Sequence, residues 1–229
     1  MKMKRFFWAV GTTAALAVAC YCGCDKGENG DKPTNGDVSQ TSTAKTIDAG
    51  AAALDAGEWT RAFDAFSAAI AEDPKAVDAY FGRAAASLAI AEERYRLAEA
   101  AATNGDVKTG TAEAEKANEN FAKAIEDCAK VLELDATYAD AYFIRGVVAQ
   151  YQGDSNAGIE AFSKCVELSP EHAEAYHRRG EIYDDIGDKM NSSVDFKKAA
   201  ELGYRDADVD GEGEDASANV DAESQASDE

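Results

Sequence analysis

The sequence repeats itself at an interval of 34 residues, because residues 140–146 (DAYFIRG) and 174–180 (EAYHRRG) align without a gap. Residues 78–84 (DAYFGRA) have the same pattern. A second set of similar segments runs from 62 to 74 and from 158 to 170, and each ends in proline. A unit this short cannot bury its own apolar face. The period therefore predicts an array of stacked units that share one continuous core.

Small and large residues occupy fixed places in each unit. Counting from Thr43, Val77, Ala139 and Ala173, the fourth residue is aromatic in three units and the eighth is always Gly or Ala. This pattern resembles the tetratricopeptide repeat family, whose unit is a helix–turn–helix. The matching residues are Tyr80, Tyr142 and Tyr176 at position 4, Gly50, Ala84, Gly146 and Gly180 at position 8, Phe66, Cys128, Phe162 and Phe196 at position 24, and Pro74 and Pro170 at position 32.

The resemblance implies an all-α, right-handed helix–turn–helix solenoid of four repeats, at residues 43–76, 77–138, 139–172 and 173–204. The second repeat carries an insertion at about residues 90–117, since Ala84 and Ala124 lie 40 residues apart, whereas Gly146 and Gly158 lie 12 apart. We predict that the insertion extends both helices, which end near Ala102 and restart near Thr111. About ten extra residues per helix would project roughly 15 Å beyond the stack.

Repeats of this family line a concave face with their first helices and bind peptides or partner proteins there. In this sequence the resemblance places acidic and aromatic residues on that face, which favours a basic or amphipathic peptide. The alternative is that the acids are solvated surface and the phenylalanines fill the core. The predicted partner-binding residues are Phe81, Leu88, Asp140, Phe143, Ile144, Val147, Tyr151, His177, Arg178 and Glu181.

The N-terminus has the layout of a bacterial lipoprotein-type signal peptide. A basic start is followed by an apolar stretch at residues 6–19 that is too short to span a bilayer. Residues 16–20 (LAVAC) resemble a lipobox, which implies a signal peptide at 1–19 and lipid attachment (palmitate) at Cys20. An ordinary secretory signal with a chance cysteine is the alternative. Residues 20–42 are rich in Gly, Asp, Asn and Thr, and predict a flexible tether.

Residues 205–229 contain ten acids and one arginine and predict a disordered acidic tail. The tail opens like a calcium-binding loop at Asp206, Asp208 and Asp210, but Ser217 takes the place of the bidentate glutamate. A weak calcium-binding exported protein is therefore a minor alternative. The fourth repeat has no amphipathic helix after Tyr204, so its open end is a candidate surface for a homodimer.

Composition argues against catalysis and against nucleic acid. The chain has two histidines and a net charge of −21, whereas phosphate binding needs clustered Lys and Arg. No phosphate loop, serine elbow or zinc spacing is present, so we expect no enzyme activity, cofactor or metal. The sequence predicts a non-catalytic interaction scaffold that is exported to the cell envelope and anchored to a bacterial membrane. An assembly or regulatory subunit that contacts its partner through the inserted finger is the alternative.

Overall fold

The computed structural model describes residues 35–205, and these form eight α-helices without a strand. The predicted signal peptide with Cys20, most of the predicted tether and the tail at 206–229 lie outside the described residues. The all-α prediction is confirmed. The helices are α1 Asn35–Asp55, α2 Trp59–Glu72, α3 Val77–Thr103, α4 Val107–Leu134, α5 Ala139–Tyr151, α6 Ser155–Leu168, α7 Ala173–Asp185 and α8 Lys189–Glu201.

The helices pack as four hairpins, α1–α2, α3–α4, α5–α6 and α7–α8, and each hairpin contacts the next along the chain. Helices α1, α3, α5 and α7 also contact one another in series. This arrangement is a solenoid, because each unit touches only its neighbours. None of the helices in the described range is long and apolar enough to cross a membrane.

A Gly–Asp pair forms the turn inside the later repeats. Gly153 and Gly187 have φ of +72° and +84°, which L-residues with a side chain rarely adopt. The aspartate that follows caps the second helix, as the backbone N–H of Ala157 donates to Asp154 Oδ1 at 3.0 Å. The same pair of residue types forms the turn at the tip of the insertion, at Gly105 (φ +80°) and Asp106. The break is therefore only residues 104–106, shorter than predicted.

The inserted finger is longer than the sequence indicated. Helix α3 has 27 residues against 13 in α5, and α4 has 28 against 14 in α6. The excess is 14 residues per helix rather than ten, or about 21 Å of helix. The two arms pack closely where Gly110 faces Ala98, since a Cβ at Gly110 would lie 3.2 Å from the Ala98 carbonyl oxygen.

Aromatic residues of the second helices pack against glycines of the first helices. Phe66, Phe121 and Phe162 are among the largest fully buried side chains. A Cβ at Gly146 would lie 2.6 Å from the Phe162 ring, and one at Gly50 would lie 2.8 Å from the Phe66 ring. The alternation of small and large residues in the sequence is thus the packing rule of this core.

The tether prediction is wrong for residues 35–42, because helix α1 begins at Asn35. The only proline of that segment, Pro33, precedes the helix and does not interrupt it. The helix is tied to the first repeat at Thr43, whose hydroxyl donates to Glu72 Oε2 at 3.1 Å. The first hairpin is therefore longer than the repeat pattern alone predicted.

Candidate partner-binding surface

Helices α1, α3, α5 and α7 form one continuous side of the solenoid, here named the first-helix surface. All ten predicted partner-binding residues lie on its helices. The structure brings them into one row, but it does not leave them equally accessible. Six of them are at most 8% exposed. These six are Phe81, Leu88, Ile144, Val147, His177 and Arg178.

Those six side chains cannot meet a partner without moving, so their assignment as contact residues is corrected. Leu88, Ile144 and Val147 belong to the hydrophobic core of the stack. Asp140, Phe143, Tyr151 and Glu181 remain partly exposed. The alternative in which apolar residues fill the core therefore describes most of the apolar members of this set.

The burial has a repeating cause. The residue just before α5, the one just before α7 and their counterpart after the last repeat each place a ring over the fifth residue of the preceding first helix. The sequence signal is an aromatic side chain recurring at the ends of repeats, which the pattern analysis missed. The three ring pairs are Phe81–Tyr138 at 4.9 Å, Phe143–His172 at 4.7 Å and His177–Tyr204 at 4.3 Å between centroids.

The third ring pair changes the prediction that the end of the fourth repeat is an open surface. Tyr204 follows α8 and stacks on His177 of α7, with 24° between the ring planes. Its backbone N–H donates to the Ala199 carbonyl at 2.9 Å, which fixes the residue beyond the helix end. The first-helix side of the last repeat is thus partly covered by the chain itself.

Arg178 is buried at the centre of a polar cluster on α7. Its Nε donates to Glu174 Oε1 at 2.9 Å, and its guanidinium carbon lies 5.6 Å from the centre of the Phe143 ring. Burial alone would lower the pKa of Arg178, but the carboxylates of Glu174 and Glu92 outweigh it and raise that pKa. The arginine is held as a cation inside the surface.

Glu181, on the next turn of α7, is held by two neighbours. Gln150 Nε2 donates to Glu181 Oε2 at 3.1 Å, and His177 Nε2 lies 3.6 Å from Glu181 Oε1. Burial acts to raise the pKa of Glu181, but these contacts and Arg178 lower it overall. Glu181 is therefore a carboxylate at neutral pH and belongs to the acidic part of the surface.

The insertion contributes a residue that sequence reasoning missed. Glu92 lies in the extended part of α3, and its carboxylate accepts a hydrogen bond from Tyr151 of α5. Burial raises the pKa of Glu92, and Arg178 partly opposes that shift. The Tyr95 ring lies 5.1 Å from the Tyr151 ring, so the finger is fastened to the third repeat at its base. Repeat alignment cannot find such contacts, because they occur only inside the insertion.

The side chains that remain exposed on the first-helix surface are mostly acidic. Asp140 and Glu174 are partly exposed, with side-chain exposures of 35% and 16%. Around them lie exposed carboxylates on α1, α3 and α7, and Arg178 of α7 is buried; the exposed cations on the first helices are Lys45, Arg96 and Arg145. These exposed acids are Asp48, Asp55, Asp78, Glu93, Asp184 and Asp185.

Residues 35–205 give little support for a metal site or a reactive cysteine. No group of three or more His, Cys, Asp or Glu side chains there is arranged to hold a metal ion. Cys128 and Cys165 are free and buried, and burial raises the pKa of each thiol to about 12. A thiol with such a pKa is almost wholly protonated at neutral pH and is a poor nucleophile.

The geometry defines an all-α repeat protein with an acidic first-helix surface. Residues 139–172 and 173–202 match the family model described as tetratricopeptide repeat (TPR). The third and fourth repeats thus match tetratricopeptide repeats, and the predicted all-α solenoid fold is confirmed. Such repeats typically form non-catalytic scaffolds that mediate protein–protein interactions. A search of curated proteins returned no match.

Solved structures share this fold. MamA from Desulfovibrio magneticus RS-1, from residue 41 to its end, is 20% identical, with coverage of 70% of this chain and 75% of that chain and a TM-score of 0.52. The TPR domain of OM64 from Arabidopsis is 18% identical, with coverage of 64% of this chain and 98% of that chain and a TM-score of 0.50. At these identities the likeness concerns the fold alone.

Proposed function

We propose that the protein is a non-catalytic scaffold that binds a basic or amphipathic segment of a partner protein on its first-helix surface. The observation that carries this proposal is the charge of that surface: α1, α3 and α7 present exposed carboxylates and α5 the partly exposed Asp140, while Arg178 is buried and paired with Glu174. Opposite charge favours encounter and selects against acidic partners. The partly exposed rings of Phe143 and Tyr151 supply apolar contact between the acids.

A charge-reversal experiment tests this proposal. The probe is a fluorescein-labelled amphipathic peptide of lysine, leucine and alanine, with a glutamate version as its negative partner. Asp48→Lys with Asp78→Lys reverses two exposed acids of the first-helix surface. Asp64→Lys with Glu126→Lys makes the same charge change at exposed positions of the second helices.

Fluorescence anisotropy should show that only the lysine peptide binds. The first-helix variant should weaken its affinity at least tenfold, and the control variant should change it little. Equal weakening by both variants would mean that net charge, and not this surface, attracts the peptide. Screening by salt should reduce binding as well, because exposed charges act over about 8 Å at physiological ionic strength.

The inserted finger is a second candidate for the contact. Leu97 and Val107 are exposed large apolar residues in its outer part. Deletion of residues 90–117 would also remove Glu92 and Tyr95, which are fastened to the third repeat. Leu97→Glu with Val107→Glu is therefore the sharper test. Loss of partner capture with this pair, and not with Asp48→Lys and Asp78→Lys, would assign the contact to the finger.

We also propose that the scaffold is anchored to a bacterial membrane in the cell envelope through lipid on Cys20. The support is the sequence alone: a basic start, a short apolar stretch and the LAVAC segment. Metabolic labelling with a clickable fatty acid should mark the wild-type chain and not Cys20→Ser. An unlabelled wild-type chain would rule out the anchor. Calcium binding by the tail stays a minor alternative, which titration calorimetry with calcium would decide.

A further inference from the structure

The outer side of the last repeat differs from that of the other repeats. Ile186, Met190 and Val194 are 53%, 76% and 61% exposed. Met190 and Val194 lie four residues apart on α8 and share one side of it, and Ile186 lies at the end of α7, just before the turn into α8. We name these three residues the outer stripe.

The repeat period supplies an internal comparison. The residues 34 positions earlier are Gln152, Asn156 and Glu160, and all three are exposed. Thus the same places one unit earlier in the solenoid, at the end of α5 and on α6, are polar. The counterparts in the first two repeats are also exposed and contain no large apolar residue: Ala56, Thr60 and Asp64, then Asn118, Ala122 and Glu126.

Solubility alone would favour the opposite pattern. The positions of the stripe are exposed in every repeat, so no neighbouring unit covers them and polar residues are expected there. Here the last repeat is the one whose outer positions are apolar. Clustered exposed apolar side chains mark an interaction surface more often than a solvated one.

The charges at the two ends of the outer stripe indicate which partner fits. Near Ile186 lie Asp184, Asp185 and Asp188, with Lys189 as the accompanying cation. Beyond Val194 lie Lys197 and Lys198, with Glu201 as the accompanying anion. One end therefore has a surplus of negative charge and the other a surplus of positive charge, with apolar side chains between them.

A surface of this kind is complementary to itself. When two copies of α8 meet in antiparallel fashion across a two-fold axis between Met190 and Val194, each basic end faces the acidic end of the other copy. We propose that the outer stripe forms a weak, symmetric homodimer of this chain. The apolar part of the stripe lies mainly on α8, so the dimer leaves the first-helix surface of α1, α3 and α5 free in both copies and makes the scaffold bivalent.

Sedimentation velocity across a concentration range tests the association. The full chain is used with Cys20, Cys22 and Cys24 changed to Ser, which removes the predicted lipid attachment. The variant Ile186→Gln, Met190→Asn and Val194→Glu gives the last repeat the residues that α6 carries at the same places. Because α6 folds with those residues, circular dichroism should show an unchanged helix content.

We expect the parent chain to dimerise in a concentration-dependent manner, and the triple variant to weaken this association at least tenfold. A parent chain that sediments as a monomer at every concentration overturns the proposal and assigns the stripe to a different partner. A triple variant that dimerises as strongly as the parent chain overturns it as well.

Cross-linking tests the predicted symmetry. With a short bis-maleimide, Val194→Cys should yield covalent dimers, because the two copies of this residue meet near the axis. Glu160→Cys places a thiol at the same place one repeat earlier and should stay monomeric. Equal yields from the two variants, or none from Val194→Cys, would contradict the antiparallel arrangement.

Discussion

Arg179 and Asp195 form a bidentate ion pair in the last repeat, with Nε–Oδ2 and Nη2–Oδ1 distances of 2.7 and 2.8 Å. Arg179 Nη1 also donates to Ser163 Oγ of the preceding repeat at 2.9 Å. Arg83 makes the same contacts with Asp127 at 2.8 and 2.7 Å, and with Ser67 at 3.3 Å. One arginine thus joins its own second helix to that of the previous repeat. We name this set of contacts the repeat clamp.

Removal of Asp195 should be strongly destabilising. The aspartate and arginine side chains are only 4% and 15% exposed, so Asp195→Ala leaves Arg179 buried without its carboxylate. We expect a loss of about 3 kcal/mol in the free energy of unfolding, measured by urea denaturation. Asp195→Ala combined with Arg179→Met should recover part of that loss, because no unpaired charge remains. Equal stability of the single and double variants would contradict the unpaired charge as the cause of the loss.

The third repeat lacks the clamp and offers a gain-of-stability test. Arg145 corresponds to Arg179, but Ala161 and Ala129 stand where the clamp has aspartate and serine. Arg145 is exposed and has no ion pair within residues 35–205. Ala161→Asp should therefore be more stable than Ala161→Asn by about 0.5 kcal/mol, a comparison that cancels helix propensity. The added stability should disappear in the background of Arg145→Gln.

Glycine packing predicts a ranking between two repeats. A Cβ at Gly146 would lie 2.6 Å from Phe162, whereas one at Gly180 would lie 3.0 Å from Phe196. Phe162 is fully buried and Phe196 is not, so only Phe196 has room to shift. Gly146→Ala should cost about 1–3 kcal/mol despite the better helix propensity of alanine, and Gly180→Ala clearly less.

Thermal or urea unfolding of both alanine variants checks this ranking. Gly146→Ala combined with Phe162→Leu should partly restore stability, because the smaller side chain leaves room for the methyl group. The second repeat already has such a combination, with Ala84 at the glycine place and Cys128 at the phenylalanine place. Equal effects of the two alanine variants would contradict the packing argument.

The sequence predicted the fold better than it predicted the site, for a physical reason. Gly146 and Phe162 occupy fixed positions within the same repeat. Their contact can therefore be inferred from the repeat pattern of the sequence. The burial of Phe81 depends on Tyr138, which lies on the far side of the insertion. Likewise Glu92 reaches Tyr151 only through the length of α3. The ring pairs recur at the ends of repeats and could have been found, whereas contacts that start in the insertion have no period and could not be found in this way.

Glu92 makes the stability of the chain depend on pH in a defined direction. Burial raises its pKa above the ordinary value of 4.5, while Arg178 and the Tyr151 hydroxyl partly oppose the shift and Glu174 reinforces it. The folded state therefore keeps a proton at pH values where the unfolded chain has released it. The stabilising contribution is present below pH 4.5 and is lost as pH rises through the folded pKa.

Glu92→Gln should remove this dependence, because an amide has the shape of the protonated acid and cannot ionise. Relative to the wild type, the variant should gain free energy of unfolding as pH rises from about 4.5 towards neutrality. Urea denaturation at a series of pH values measures that difference. The control is Glu93→Gln, the same change at the exposed neighbouring residue, which should follow the wild type at every pH. If Glu92→Gln also parallels the wild type, the carboxyl group of Glu92 ionises alike in the folded and unfolded chains.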